Sequence, residues 1–281
     1  MIRITKSSSP AKLESENCRR RVEENVKKRE FKGSYYNHKD VLEPLEKIHH
    51  NKCSFCETYI RPVDTPQVEH YRPKNRLKDD PAHLGYYWLG HEWNNLLLAC
   101  PACNKAKSSQ FPIQGTRVAT PSILENNKLD RSCCLPNAPP LSDEQPLLIN
   151  PEFENPKPHF RFYTDGRIEG LTIRGQKTIE ICKLDRKSLD IDRKKVLDTC
   201  IASLNEKFLG YAEEMLTVEG LAYFIRKTME RFKREITAEM KYTLFREYSF
   251  EHFEEFFVDQ VEENQKQNLR KAIKELSETS G

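Results

Sequence analysis

Three short stretches decide how this chain is read: CSFC at 53–56, VEHYRPK at 68–74 and WNNLLLACPACNKAK at 93–107. Two cysteines separated by two residues can grip one tetrahedral metal from a tight turn. Here that spacing occurs twice, at Cys53/Cys56 and Cys100/Cys103. The gap between the pairs is far longer than the roughly 15–20 residues of a simple zinc ribbon. Something folded must therefore sit between the knuckles, and a structural Zn²⁺ on four thiolates is expected. In the insert, Glu69 directly precedes His70. On a strand the two would face opposite ways, unless the strand ends there, and Pro73 is placed to end it.

Outward from this centre the composition narrows the class. The chain has 281 residues, 37% hydrophobic and 32% charged, so it can bury a core under a heavily charged surface. No apolar run approaches the roughly 18 residues of a membrane helix. The first ten residues do not read as a secretory signal, so a cytoplasmic protein is expected. Its nine cysteines then point to metal rather than disulfides. A net charge of +3 is too small to argue for nucleic acid; any basic patch must be local.

The pattern predicts an α+β protein in four parts. Residues 1–48 read as a helical arm, with one solvated helix over 15–30 and a second over 41–49. Residues 49–112 form the cysteine-bearing module and 113–146 a loop-rich connector. Residues 147–281 combine a buried strand at Leu147-Leu148-Ile149, a β-hairpin turning at Asp165-Gly166, and at least three long helices. Helical periodicity runs through 178–182, 189–204, 221–240 and 242–276. Trp88, Tyr86, Tyr87, Phe253, Phe256 and Phe257 are expected in the core, and Cys133, Cys134, Cys182 and Cys200 are expected to be ordinary buried or loop thiols. His83 and His91 match no motif.

In order and spacing the three stretches resemble the HNH endonuclease family in its four-cysteine form. The shared pattern is a C-x-x-C knuckle, an acidic-His-x-x-Pro strand (Glu69-His70-Tyr71-Arg72-Pro73), an Asn-Leu segment (Asn95-Leu96), and C-x-x-C-Asn-x-x-Lys (Cys100 to Lys107). Further motifs are Tyr86-Tyr87-Trp88-Leu89, Pro146-Leu147-Leu148-Ile149-Asn150-Pro151, and Leu184-Asp185-Arg186 ahead of Arg193. They are similar to the HNH subunit of Septu-type and retron-associated antiviral systems.

The resemblance implies a zinc-stapled ββα-metal module that hydrolyses nucleic-acid phosphodiesters; DNA is expected ahead of RNA, a choice that the residues themselves leave open. Its partner would be an ABC/SMC-like (PtuA-like) ATPase. His70 would be the general base, since an imidazole titrating near 6.5 can take a proton from water. Glu69 and Asn104 would hold a catalytic Mg²⁺ or Mn²⁺ as oxygen ligands. The family pattern often has Asp and His at these two positions. Asn95 would bond loop backbone and orient His70. Arg72, Lys74, Lys105 and Lys107 would supply phosphate contacts. The rival reading is a non-catalytic zinc module that binds nucleic acid or acts as an adaptor.

Overall fold

A computed structural model describes residues 1–278, and the chain is α+β. It divides into two compact units: Met1–Phe160 with Gly170–Leu184, and Arg161–Glu169 with the chain from Asp185 onward. The arm, the cysteine module and the connector all fall in the first unit. Among the described residues no helix is long and apolar enough to cross a membrane.

The first unit opens with α1 (Ala11–Glu14) and α2 (Glu16–Lys28). Ser15 caps α2 by accepting from the Cys18 amide, and Arg29 closes it in the left-handed conformation. Cys18, Val22 and Asn25 form its buried stripe, at the spacing that puts residues on one helix face. Next comes α3 (Lys39–Ile48), which buries Val41 and Leu45. After the first cysteine knuckle, β1 (Gln67–His70) pairs antiparallel with β2 (Leu96–Ala99), with His70 opposite Leu96 and Glu69 opposite Leu97. All of β2 is buried. Its continuation is α4 (Pro101–Lys107), where proline opens the first turn, a position that has no use for its missing N–H. The result is a ββα unit with one cysteine pair at each end.

A second core lies beside it. Tyr71, Tyr86, Trp88 and Phe111 pack as rings. Among them runs a fully buried ion pair: Arg72 Nε donates to Glu144 Oε2 at 2.8 Å and its Nη2 to Leu141 O at 2.7 Å. Tyr86 Oη donates to the other Glu144 oxygen at 2.6 Å. Such a pair survives burial only when every donor and lone pair is engaged.

Residues 147–149 are buried, as expected, but they are not a strand. The Leu147 amide donates to Pro112 O, and side chains satisfy the backbone beyond it. Leu148 O accepts from Tyr71 Oη and Arg174 Nη2, and the Ile149 amide donates to Thr178 Oγ1. A segment whose polar groups are met in this way needs no strand partner. Arg174 and Thr178 belong to α5 (Ile173–Cys182), which completes the first unit.

The hairpin is present as β3 (Phe160–Phe162) and β4 (Ile168–Gly170). Its turn requires glycine twice over. Gly166 has φ +83°, and a Cβ there would lie 2.0 Å from Asp190 O. The second unit is otherwise helical: α6 (Lys187–Ala212), α7 (Val218–Arg234), α8 (Thr243–Glu251), α9 (Phe253–Phe256) and α10 (Glu263–Glu278). The helical pattern over 242–276 is therefore three helices rather than one. Phe256, Phe257 and Val258 are consecutive and all buried. One helix turns such neighbours to different sides, so the chain breaks to bring all three inward.

Candidate functional site

The ββα unit supplies the site. In the first knuckle the Glu57 amide donates to Cys53 O and the Cys53 amide to Thr58 O. The Ser54 amide bonds Leu98 O at 2.9 Å, which ties the knuckle to β2. In the second, Cys100 is the N-cap of α4, and its sulfur accepts from the Cys103 amide. The four sulfurs lie within 4.8 Å of one another and all four cysteines are buried. Cys56 Sγ and Cys100 Sγ are 3.8 Å apart. A tetrahedron with metal–sulfur bonds of about 2.3 Å has edges of that length. Burial pushes the Cys53 thiol well up, and hydrogen bonding to Cys100 pushes up Cys103. A cation would reverse this by stabilising the thiolates. The donor set thus fits a metal such as zinc.

His70 ends β1 and is 4% exposed. Its Nε2 lies 3.0 Å from Gly90 O. A carbonyl only accepts, so Nε2 carries the proton and Nδ1 keeps the lone pair. Lys74 Nζ donates to that Nδ1 at 3.3 Å. Tyr36 meets the ring edge-on at 4.6 Å and Phe31 at 6.1 Å. The same two rings flank His91. Burial first, then Lys74, drives the His70 pKa well below the imidazole range, so the ring is neutral.

Glu69 faces the other side of β1. Its Oε1 accepts from Lys107 Nζ at 2.6 Å, and the same ammonium donates to His70 O at 2.8 Å. Burial raises the Glu69 carboxyl although Lys107 lowers it. One turn earlier on α4, Asn104 Nδ2 donates to Gln67 Oε1. The structure therefore groups Glu69, Gln67, Asn104 and Lys107 on the β1–α4 seam, and His70, Lys74, Tyr36 and Phe31 across the strand. Lys74 is the link, since its charge acts on both Glu69 and His70. Asn95 spans the loops flanking His70: Oδ1 accepts from the Arg72 amide, and Nδ2 donates to Arg72 O and Leu89 O.

The expected phosphate contacts are scattered. Lys105 is exposed and Lys74 half-buried. Arg72 and Lys107 are instead committed inside the fold, to Glu144 and Glu69. The position of Lys107 had a signal in the sequence: it is three residues past Asn104 and so shares its helix face. The cover over His70 had none, because Phe31 and Tyr36 lie far from it along the chain.

No family model matches the chain, and no solved structure matches it. Two curated proteins of Bacillus mycoides (strain KBAB4) do. The chain is similar to Septu protein PtuB. The two are 32% identical over 179 residues, 61% of this chain and 55% of PtuB. The chain thus spans about half the length of that relative. It is also 31% identical to Septu protein PtuA over 151 residues, 52% of this chain and 19% of PtuA.

The buried imidazoles predict an acid-sensitive fold. Burial lowers His49 to about 3 and His91 to about 4, and His70 falls in the same direction. As pH drops below about 6.5, the unfolded chain takes up three protons that the folded chain refuses. Stability is then lost at up to about 1.4 kcal/mol per proton per pH unit. Buried carboxyls raised by desolvation, Glu92 to about 7 with Glu69 and Glu152 in the same direction, act with the opposite sign. The histidine contribution is therefore read by difference. Between pH 7 and pH 5 a His49→Gln variant should lose less stability than the wild type in denaturant melts, and an identical pH dependence in the two proteins would refute it.

Proposed function

We propose that the chain is a metal-dependent HNH endonuclease. On this reading it hydrolyses nucleic-acid phosphodiesters, DNA rather than RNA. It serves a bacterial anti-phage defence system in the cytoplasm, beside an ABC/SMC-like (PtuA-like) ATPase. The observation that carries the reading is His70. Its ring is neutral, its tautomer is set by Gly90 O, and its lone pair on Nδ1 faces an ammonium. The similarity to the two Septu proteins supports the defence role.

His70 Nδ1 takes the proton of a water whose oxygen attacks phosphorus. The P–O3′ bond breaks with its electron pair going to O3′, which takes a proton from solvent, leaving a 5′-phosphate and a 3′-hydroxyl. Asn95 keeps His70 in register by binding the backbone on both sides. Lys74 serves twice: it masks Nδ1 at rest, and an arriving phosphate draws its ammonium away. Lys105 adds affinity that does not depend on sequence. Structural zinc is held by Cys53, Cys56, Cys100 and Cys103. Glu69 and Asn104 would be the oxygen ligands of a hard divalent ion once Lys107 gives up the carboxylate, since Asn104 spends its NH₂ on Gln67 and leaves its carbonyl oxygen. When bound there, Mg²⁺ or Mn²⁺ would supply Lewis-acid stabilisation of phosphate and departing oxygen.

One observation favours the second reading, a non-catalytic zinc module that binds nucleic acid or adapts a partner. Glu69 and His70 are both buried and both engaged. Nicking of plasmid DNA and labelled RNA with Mg²⁺ or Mn²⁺, with and without the ATPase, separates the two. The adaptor predicts binding without scission in every combination.

The cover itself is testable. A Tyr36→Ala change removes an edge-on ring contact worth up to about 1.5 kcal/mol, which is roughly tenfold in the opening of the site. Modification of His70 by diethyl pyrocarbonate, read by mass spectrometry, should accelerate by up to that factor, and nicking with it. An unchanged modification rate would show that Tyr36 does not gate the imidazole.

A further inference from the structure

The second unit holds a groove of about 480 Å³ that no part of the proposed active site uses. Six cations line it: Lys195 and Lys207 from α6, Lys227 and Arg231 from α7, then Lys241 and Arg246. A single carboxylate, Glu235, lines it with them and is shared by Arg231 at 3.3 Å and Arg246 at 2.7 Å. Lys227 and Lys195 pair with Glu230 and Asp192 at the surface. Exposed pairs of that kind are worth little and exchange readily for another anion.

The cations do not converge on one point. Lys195 and Lys207 are twelve residues apart on one helix, so they span about 18 Å. A lone phosphate needs a nest; a line of charge fits a polyanion. Aromatic rings stand among these charges. Phe224 lines the groove and is 39% exposed, with Lys207 Nζ 5.8 Å from its centroid. Beside it Tyr223 is 48% exposed, under Arg226 and Lys227. Exposed rings interleaved with cations form a platform for unstacked bases, which a duplex cannot offer.

We propose that the α6–α7 groove binds single-stranded nucleic acid, with the cations on the backbone and Phe224 stacked on a base. The proposal rests on the nuclease reading for its ligand class, and it adds a binding track built by the second unit alone.

The test is fluorescence anisotropy on the full chain with a labelled 20-nucleotide oligo-dT and a labelled duplex. It is run from low to high salt without added Mg²⁺ or Mn²⁺, and probe integrity is checked on a denaturing gel. In Lys227→Gln/Arg231→Gln the slope of log affinity against log salt should fall by about 1.4, from two single-strand phosphates at about 0.7 each. In Phe224→Ala, affinity for oligo-dT should fall roughly tenfold while duplex affinity holds. All three side chains are at the surface, and circular dichroism confirms that the variants fold. Wild-type affinity and slope in the double variant overturn the proposal. So does loss of ATPase co-purification with oligo-dT binding intact, which assigns the groove to a protein. Because no step requires scission, a chain that binds but never cuts refutes the nuclease reading and leaves the groove standing.

Discussion

Serine in place of Cys53 or Cys100 unfolds the ββα unit. Each cysteine supplies one sulfur to a buried cluster of four, and each also ends a local structure. Cys53 anchors the turn that is tied to β2 through Ser54, and Cys100 caps α4, a cap that serine keeps, so that variant removes the sulfur ligand alone. The sheet they hold has only two short strands, and a two-stranded pairing is marginal without support. Structural zinc contributes on the order of 10–16 kcal/mol in small metal-folded domains. Whole domains are stable by only about 5–15 kcal/mol. Loss of one ligand therefore exceeds what the rest of the unit can absorb. The expected result is about one zinc per wild-type chain by elemental analysis, and none in either variant. The variants should melt early or aggregate, and chelator should do the same to the wild type. A Cys134→Ser control keeps its metal. A Cys53→Ser protein with wild-type melting and no metal would show that the sulfurs are an ordinary core cluster.

Removing the imidazole should leave a folded protein that no longer cuts. General-base catalysis is worth about 10²–10⁴ in rate, so His70→Ala should reduce plasmid nicking by that factor. Zinc content and circular dichroism should stay at wild-type levels. The imidazole bonds Gly90 O, but the loop around it is held independently by Asn95. The acid limb of the wild-type rate should fall below the ordinary imidazole range, because burial lowers the His70 pKa. Nicking by His70→Ala at the wild-type rate would remove His70 from the mechanism.

The two expectations differ in how they could be reached. The cysteine cluster was legible because its chemistry is local. A pair separated by two residues forms a knuckle in any fold, and two knuckles complete a tetrahedron wherever they meet. The order strand, Asn-Leu segment, helix came from the motif resemblance rather than from periodicity, because Glu69-His70, Asn95-Leu96 and Cys100 to Lys107 follow one another as in the family pattern. The hairpin followed from Asp165-Gly166. The segment 147–149 was misread because a short apolar run looks the same whether its backbone is met by a strand or by Tyr71, Arg174 and Thr178. Pattern at 242–276 showed helix but not its two breaks, the second of which falls where Phe256, Phe257 and Val258 are all buried.

Charge was the least legible property. Arg72 and Lys107 stand in the sequence beside Lys74 and Lys105 as one basic cluster. Folding separates them: Arg72 goes to Glu144, 72 residues away, and Lys107 to Glu69, 38 residues away. Residue type and spacing fix what can be built within a few turns of chain, and so they disclosed the four-cysteine cluster and most of the elements. Which charges remain available and what covers His70 depend on desolvation by segments remote in sequence. The energy of burying a charge is set by neighbours that only the assembled fold brings within reach.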